Sequence, residues 1–218
     1  MAEHRKGFRI PIAPEGWPFI VASLAPVAVV WLLGLVWLEV IFVPLAVFVI
    51  AFFRDPERVI PLEADAVVSP ADGRVIKAEV IRDDRFLGAD AFKISIFMNV
   101  FNVHVNRAPA SGKIVKIIYN PGKFFNASLD KASLENEQNA LIVQTPDGRR
   151  IAFNQIAGLI ARRIVCRVNT GDILEKGARF GLIRFGSRVD VFMPADCVPD
   201  VKVGDKVSAG SSIIARWN

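Results

Sequence analysis

Hydrophobic positions fall into two regimes along this chain. From Trp17 to Phe53 apolar residues follow one another with no Lys, Arg or Asp, and Glu39 is the only charge. As one helix that stretch would be about 55 Å long, against a hydrocarbon core of about 30 Å. Gly34 sits near its middle, with Pro26 and Pro44 on either side. The pattern therefore predicts two shorter helices joined near Gly34, a hydrophobic hairpin over 17–53. Each half is slightly short for a full crossing, so dipping into a membrane and crossing it both fit. A carboxylate is costly in hydrocarbon, which puts Glu39 at headgroup level, and Trp17, Trp31 and Trp37 suit the interface. A secretory signal competes with this reading, but its apolar region is only about half as long; a long buried core helix is the other alternative.

After residue 58 the pattern changes to short apolar runs cut by Gly, Pro, Asp and Asn. Ala66–Val68, Arg74–Ile76, Phe92–Phe97, Lys113–Ile118 and Ala140–Val143 read as strands, several of them alternating with period two. Only the stretch around Leu129 to Leu134 suggests a short helix. The expectation is a mainly β fold, a barrel or sandwich hybrid over 59–218, preceded by the helical hairpin and a basic tail at 1–16. In the last third, Val168-Asn-Thr-Gly171-Asp172 through Gly177 matches Val201-Lys-Val-Gly204-Asp205 through Gly210 at one offset. Each copy places a Gly-Asp turn before a short strand and a glycine turn after it. That resembles the half-units of lipoyl- and biotinyl-type β-sandwiches, and it bears on architecture alone.

Composition and charge sharpen the picture in three places. Hydrophobic residues make up 52% of the chain and mean hydropathy is +0.37, an excess concentrated in the hairpin. Arg5, Lys6 and Arg9 precede the hairpin and Arg54 and Arg58 follow it. Both ends are then expected to face the cytoplasm, at the cell membrane. The first 58 residues carry as many acidic as basic side chains, so the β-rich part keeps the whole +5. Beside an anchor, that charge points to anionic phospholipid, and nothing beyond charge suggests nucleic acid. Cys166 and Cys197 lack metal-ligand spacing, and a cytoplasmic domain keeps them reduced.

Histidine is the natural starting point for chemistry, because the chain has only two. His4 lies in the polar tail, which leaves His104 as the one imidazole of the β domain; a hydrogen-bonded structural role competes. Asp72, in Ser69-Pro-Ala-Asp-Gly73, reads first as a turn cap and second as a group that orients an imidazole. Gly186-Ser187 looks like a tight turn and lacks the second glycine of a Gly-x-Ser-x-Gly elbow, so serine hydrolase chemistry is poorly supported.

Four motifs occur in one order: S-P-A-D-G at 69–73, N-V-H-V-N-R-A-P at 102–109, F-F-N-A-S-L-D-K-A-S at 124–133, and F-G-S-R-V-D-V at 185–191. Together the chain resembles the phosphatidylserine decarboxylase family, in its short, membrane-associated form. The resemblance implies an Asp72–His104–Ser187 set and self-cleavage between Gly186 and Ser187. A large chain, 1–186, and a small chain, 187–218, would then stay together as a heterodimer, with the higher oligomeric state open. It implies a covalent pyruvoyl group derived from Ser187, without metal or pyridoxal phosphate. The group would form by an N→O acyl shift, elimination to dehydroalanine and hydrolysis. A Schiff base between this ketone and the substrate amine would take up the electrons left by CO₂, turning phosphatidylserine into phosphatidylethanolamine. Ether-linked archaetidylserine is the alternative substrate. Arg188, Asn126, Ser128 and Glu137 are candidates near the headgroup. Longer members have L-G-S-T at the cleavage site and a second histidine where this chain has Phe101.

An anchor fits a diacyl substrate, whose extraction costs about 0.8 kcal/mol per CH₂. Two rivals stand beside this reading. Asp130-Lys131-Ala132 matches the D-K-A of a lipoylated carrier, with Lys131 as the modified residue. A membrane-tethered β adaptor without enzymatic activity would make Gly186-Ser187 accidental.

Overall fold

The computed structural model describes residues 10–123, 127, 135–158, 163–184 and 186–218. The chain divides into two compact units, Met1–Glu57 and Arg58–Asn218.

The first unit is the expected helical hairpin. Helix α1 (Trp17–Leu32) and helix α2 (Glu39–Phe52) are joined through Gly34, whose φ of 71° is left-handed and so favours a residue without Cβ. Gly16 packs on the last aromatic residue of the hairpin: a Cβ there would lie 2.5 Å from the Phe53 Cβ. The Phe19 and Phe53 rings stack at 5.3 Å. Both helices are apolar nearly all round, and Val21, Trp31, Leu32, Val40 and Val47 are exposed. Among the described residues, Pro14–Leu32 is long and apolar enough to cross a membrane.

The second unit is mainly β, as the sequence pattern predicts. Its central sheet is a curled half-barrel of eight strands in the order β13-β2-β3-β11-β7-β6-β5-β9. These are β2 (Gly73–Asp83), β3 (Ala89–Met98), β5 (Gly112–Asn120), β6 (Gln138–Gln144), β7 (Arg150–Ile156), β9 (Ile173–Leu174), β11 (Ser187–Pro194) and β13 (Lys206–Val207). Two small sheets complete the unit. One pairs β1 (Ala66–Val68) and β12 (Val198–Pro199) with β14 (Ile213–Arg216); the other pairs β4 (Val105–Arg107) and β8 (Ile164–Cys166) with β10 (Arg179–Ile183). Both faces of the central sheet are covered. Ile94, Ile96, Leu141, Phe153, Val189 and Val191 belong to the larger core. Phe86, Ala140, Ile142, Ala152 and Phe192 form a smaller cluster. Strand residues alternate between faces, so Ser187 shares the larger core's face with Val189 and Val191, and Arg188, Asp190 and Phe192 share the other.

The internal repeat extends well beyond the Gly-Asp turns. Gly171 and Gly204, at φ 100° and 101°, open turns in which the Asp172 and Asp205 carboxylates accept the N–H of Asn169 and Lys202 at 2.8 and 2.9 Å. Gly204 N–H donates to Val75 and Gly171 N–H to Ile114, both at 2.8 Å. Val68 N–H donates to the Pro109 carbonyl, and Arg107 N–H to the Pro70 carbonyl, both at 2.9 Å. Bulges fall at the same place in β2 (between Val75 and Lys77) and β5 (between Ile114 and Lys116). The half-barrel is thus a pseudo-dyad that maps β13, β2, β3 and β11 onto β9, β5, β6 and β7. Pro70-Ala71-Asp72-Gly73 corresponds to Pro109-Ala110-Ser111-Gly112. Even the caps correspond, since Asp72 accepts Ala209 N–H at 2.7 Å and Ser111 accepts Lys176 N–H at 2.8 Å.

Candidate active site

Ser187 opens β11 and pairs in register with Met98, at the end of β3. It is fully buried, and its Oγ has no hydrogen-bond partner among the described residues. A buried hydroxyl without a partner is uncommon and costs stability, so it calls for an explanation. The residue before it, Gly186, has φ 59°, a left-handed turn that a side chain would strain. The Gly186 carbonyl lies so close to Gly158 that a Cβ on Gly158 would come within 1.9 Å of its oxygen. Gly158 is itself held by its neighbour: Ala157 donates its N–H to Glu137 at 3.0 Å and accepts from Asn136 Nδ2 at 2.7 Å.

His104, also buried, precedes β4. Its carbonyl accepts the N–H of Ile183 at 3.3 Å, four residues before Ser187, while Met98 stands six residues before His104. The topology thus brings the histidine loop and the Gly186-Ser187 turn to one end of the sheet. His104 Nδ1 lies 2.9 Å from the Asn102 carbonyl. A carbonyl only accepts, so Nδ1 carries the proton, and in the neutral ring the lone pair sits on Nε2. The partner that fixes this tautomer is a backbone oxygen, the role the sequence reading gave to the Asp72 carboxylate.

Asp72 stands at the start of β2 with both oxygens engaged. Oδ1 accepts Ala209 N–H, and Oδ2 accepts from Arg58 Nη2 at 2.8 Å. Its turn is tied to the histidine strand by buried amides. Asn139 Nδ2 donates to Gln155 Oε1 at 3.0 Å, Gln155 Nε2 donates to Asn106 Oδ1 at 2.8 Å, and Asn106 Nδ2 donates to the Pro70 carbonyl at 3.4 Å. Glu137, one of the headgroup candidates, is buried and accepts from the Tyr119 hydroxyl at 3.1 Å. Desolvation raises the Tyr119 phenol above its ordinary pKa, and the hydrogen bond to Glu137 and its charge push the same way. Arg188 is wholly buried, which excludes a solvated surface arginine. Its Nε and Nη2 clasp Asp190 at 2.5 and 2.6 Å, and Lys93 Nζ lies 3.6 Å from the same carboxylate. Asn126, Ser128, Lys131 and the stretch 129–134 lie outside the described residues.

Sequence reasoning missed Arg58, Gly158 and the amide chain. Arg58 stood out only as a flanking charge, whereas its guanidinium is the ionic partner of Asp72. No local pattern marks Gly158, because its role is set by a contact with residue 186.

The family model for phosphatidylserine decarboxylase matches residues 45–215. The chain belongs to the phosphatidylserine decarboxylase family. Curated relatives named phosphatidylserine decarboxylase proenzyme are similar over nearly their whole length. That of Aromatoleum aromaticum is 54% identical over 212 residues, covering 94% of this chain and 95% of the relative. Those of Nitrosomonas eutropha and Ralstonia pickettii are 52% and 50% identical, each with the same 94% and 95% coverage. The word proenzyme in these names agrees with a family whose members are made in a precursor form. The Gly186-Ser187 step and its buried hydroxyl lie inside the region that the family model matches.

Proposed function

We propose that this chain is a proenzyme that cuts its own Gly186–Ser187 bond and then decarboxylates phosphatidylserine to phosphatidylethanolamine. The observation that carries the reading is the buried Ser187 Oγ, without a partner among the described residues, beside a glycine carbonyl in a left-handed turn. In the cleavage step His104 Nε2 takes the Ser187 hydroxyl proton and Oγ attacks the Gly186 carbonyl carbon. The C–N bond breaks as the C–O bond forms, leaving an ester and a protonated amine at residue 187. Loss of the Cα proton of residue 187 expels the Gly186 carboxylate. Water then replaces the resulting enamine nitrogen, releasing ammonia and leaving a ketone. Residue 187 suits such a group: it lies in a dry site, on a strand paired on both sides. Ketone and adjoining carbonyl supply the electron sink that decarboxylation needs and ordinary side chains lack.

His104 serves a second time by returning a proton to the substrate Cα. Asp72 acts as a positioning residue: its carboxylate caps Ala209 and pairs with Arg58, which fixes the 69–73 turn whose Pro70 carbonyl accepts from Asn106 and Arg107 of β4. Chains 1–186 and 187–218 stay together as a heterodimer because β11 lies between β3 and β7. The hairpin holds the enzyme at the membrane with the β domain on the cytoplasmic side, beside a substrate that does not leave the bilayer. Intact mass and CO₂ release test the reading together. Two fragments with a ketone at residue 187, and labelled CO₂ from carboxyl-labelled phosphatidylserine, are expected. One uncut chain with an unmodified serine overturns it.

A further inference from the structure

The pseudo-dyad supplies an internal comparison that isolates one cavity. Beside Asp72 lies a cavity of about 540 Å³ whose walls include Arg74, Asn99, Asn102, Lys206 and Ser208. Its pseudo-symmetric counterpart, about 400 Å³, is lined by Ser111, Lys113, Ile173 and Glu175 among others. The shared architecture makes both hollows, so a cavity there is by itself no sign of a ligand. The side chains differ. Lys206 corresponds to Ile173 and Ser208 to Glu175, so one hollow offers two cations where the other offers a cation and an anion.

We propose that the hollow beside Asp72 is the subsite for the headgroup phosphodiester, with Arg74 and Lys206 as its cationic partners. This deepens the decarboxylase reading and rests on it. The acidic groups close to the hollow are already engaged. Asp72 is paired with Arg58 at 2.8 Å and caps Ala209, and Asp205 caps Lys202. Arg74 spends Nη1 on the Gly204 carbonyl at 2.9 Å, and neither Arg74 nor Lys206 has an ion pair among the described residues. Asn99 and Asn102 add polar donors. Asn102 Oδ1 accepts Asn99 N–H and Asn99 Oδ1 accepts Phe101 N–H, both at 2.9 Å, so each amide has its NH₂ left to offer. A planar guanidinium, an ammonium and amide N–H groups are the donor set that a phosphodiester anion matches.

The walls of the hollow belong to the elements that hold the reacting residue and its histidine. Asn102, in its wall, holds His104 Nδ1 through its carbonyl. Phe97, also in its wall, is the register partner of Arg188, and the next residue, Met98, is the partner of Ser187. A phosphate held here leaves the serine end of the headgroup to reach across the end of β3.

The test converts the hollow into its copy. Lys206→Ile and Arg74→Gln, singly and together, are compared with Lys113→Gln in the counterpart. The substrate is short-chain phosphatidylserine kept monomeric, and then long-chain phosphatidylserine in phosphatidylcholine vesicles. Lys206 is exposed, so its replacement is expected to fold and to cleave itself as the unchanged protein does. Each variant is expected to raise KM for the monomeric lipid about tenfold, the size of one charge-assisted contact, with kcat within about twofold. The double variant is expected to raise it about a hundredfold, with Lys113→Gln unchanged. Glycerophosphoserine should inhibit the unchanged protein competitively, and the double variant only weakly. An unaltered KM for monomeric lipid overturns the subsite, as does a loss confined to vesicles, which would reflect surface attraction alone. A fall in kcat at constant KM overturns it too. If Arg74→Gln fails to mature, Arg74→Lys and Lys206→Ile decide the matter. An unchanged protein that releases no CO₂ sinks the decarboxylase reading instead, so the two failures are distinct.

Discussion

Replacing Gly158 with alanine tests whether the scissile carbonyl is held by shape. The new Cβ would lie 1.9 Å from the Gly186 oxygen and 2.9 Å from its carbon. Real contacts of this kind are rarely under about 3 Å, so one partner has to move by about 1 Å. Ala157 is pinned on both sides, through its N–H to Glu137 and its carbonyl to Asn136. Gly186 lies in a turn with open space where its own Cβ would be, so the carbonyl is the part that yields. Overpacking of this size costs about 1–3 kcal/mol, which a domain of ordinary stability survives. A 1 Å misplacement of the electrophile slows an in-place attack by about a hundredfold. The variant should therefore fold and stay largely uncut on denaturing gels over a time in which the unchanged protein is fully cleaved. Gly88→Ala is the control: it also removes a glycine, at φ 71°, but meets nothing within 4 Å, and should cleave normally. Normal cleavage by Gly158→Ala would refute the argument.

Four further outcomes follow from the structure. Ser187→Ala should leave one full-length band and a cooperative thermal transition, because the hydroxyl makes no hydrogen bond among the described residues; a chain without cooperative unfolding would contradict that. Asp190→Asn strands Arg188 and Lys93 in a buried setting, a loss of about 3–5 kcal/mol that lowers Tm by about 10 °C for a domain of this size. Asp84→Asn, at an exposed pair with Arg82, should change Tm by less than about 2 °C. Tyr119 is the only tyrosine, so its ultraviolet titration is unambiguous. Its midpoint should lie above 10, the ordinary value, and Glu137→Gln should bring it down. A raised phenol favours the neutral form in the fold, so this contribution to stability is present below the ordinary pKa and fades as pH rises through the raised one.

The hairpin was legible because an uninterrupted apolar run has few other uses, and Gly34 marks its bend. Strands β2, β3, β5 and β6 were visible at their centres, where Ile, Val and Phe recur. Strands β7 and β11 were not, since Asn154, Gln155, Arg188 and Asp190 interrupt their apolar pattern. All four are nonetheless buried and hydrogen-bonded to partners on other strands or to each other, and such partners leave no local trace. The repeat was visible only where glycine and aspartate are both kept. Between the 69–73 and 108–112 turns Asp72 corresponds to Ser111, and the likeness rests on hydrogen bonds. For the candidate site, motifs supplied Asp72, His104 and Ser187. The constraint that Gly158 places on the Gly186 carbonyl was hidden because residues 158 and 186 meet only in the folded sheet.

The pseudo-dyad also explains why a chain can carry a breakable bond at this position. In one half the end of β6 and the start of β7 are joined by a tight turn. There Thr145 N–H donates to the Arg149 carbonyl at 2.9 Å, and Gly148 has φ 88°. In the other half the equivalent ends belong to β3 and β11, which are remote in sequence. No hairpin closes that end, and it receives instead the 99–104 loop and the Gly186-Ser187 turn. Strand β11 does not rely on its N-terminal connection for its place, because β3 pairs with it over 187–194 and β7 over 188–192. Most of the free energy that holds it is burial of Val189, Val191 and Met193 together with ladder bonds, and these are indifferent to what precedes residue 187. Cutting the Gly186–Ser187 bond therefore frees a chain end at residue 187 while leaving the sheet intact. A bond inside any strand would have lacked that property, since its ends would be tied by the ladder against the rearrangement that cleavage requires.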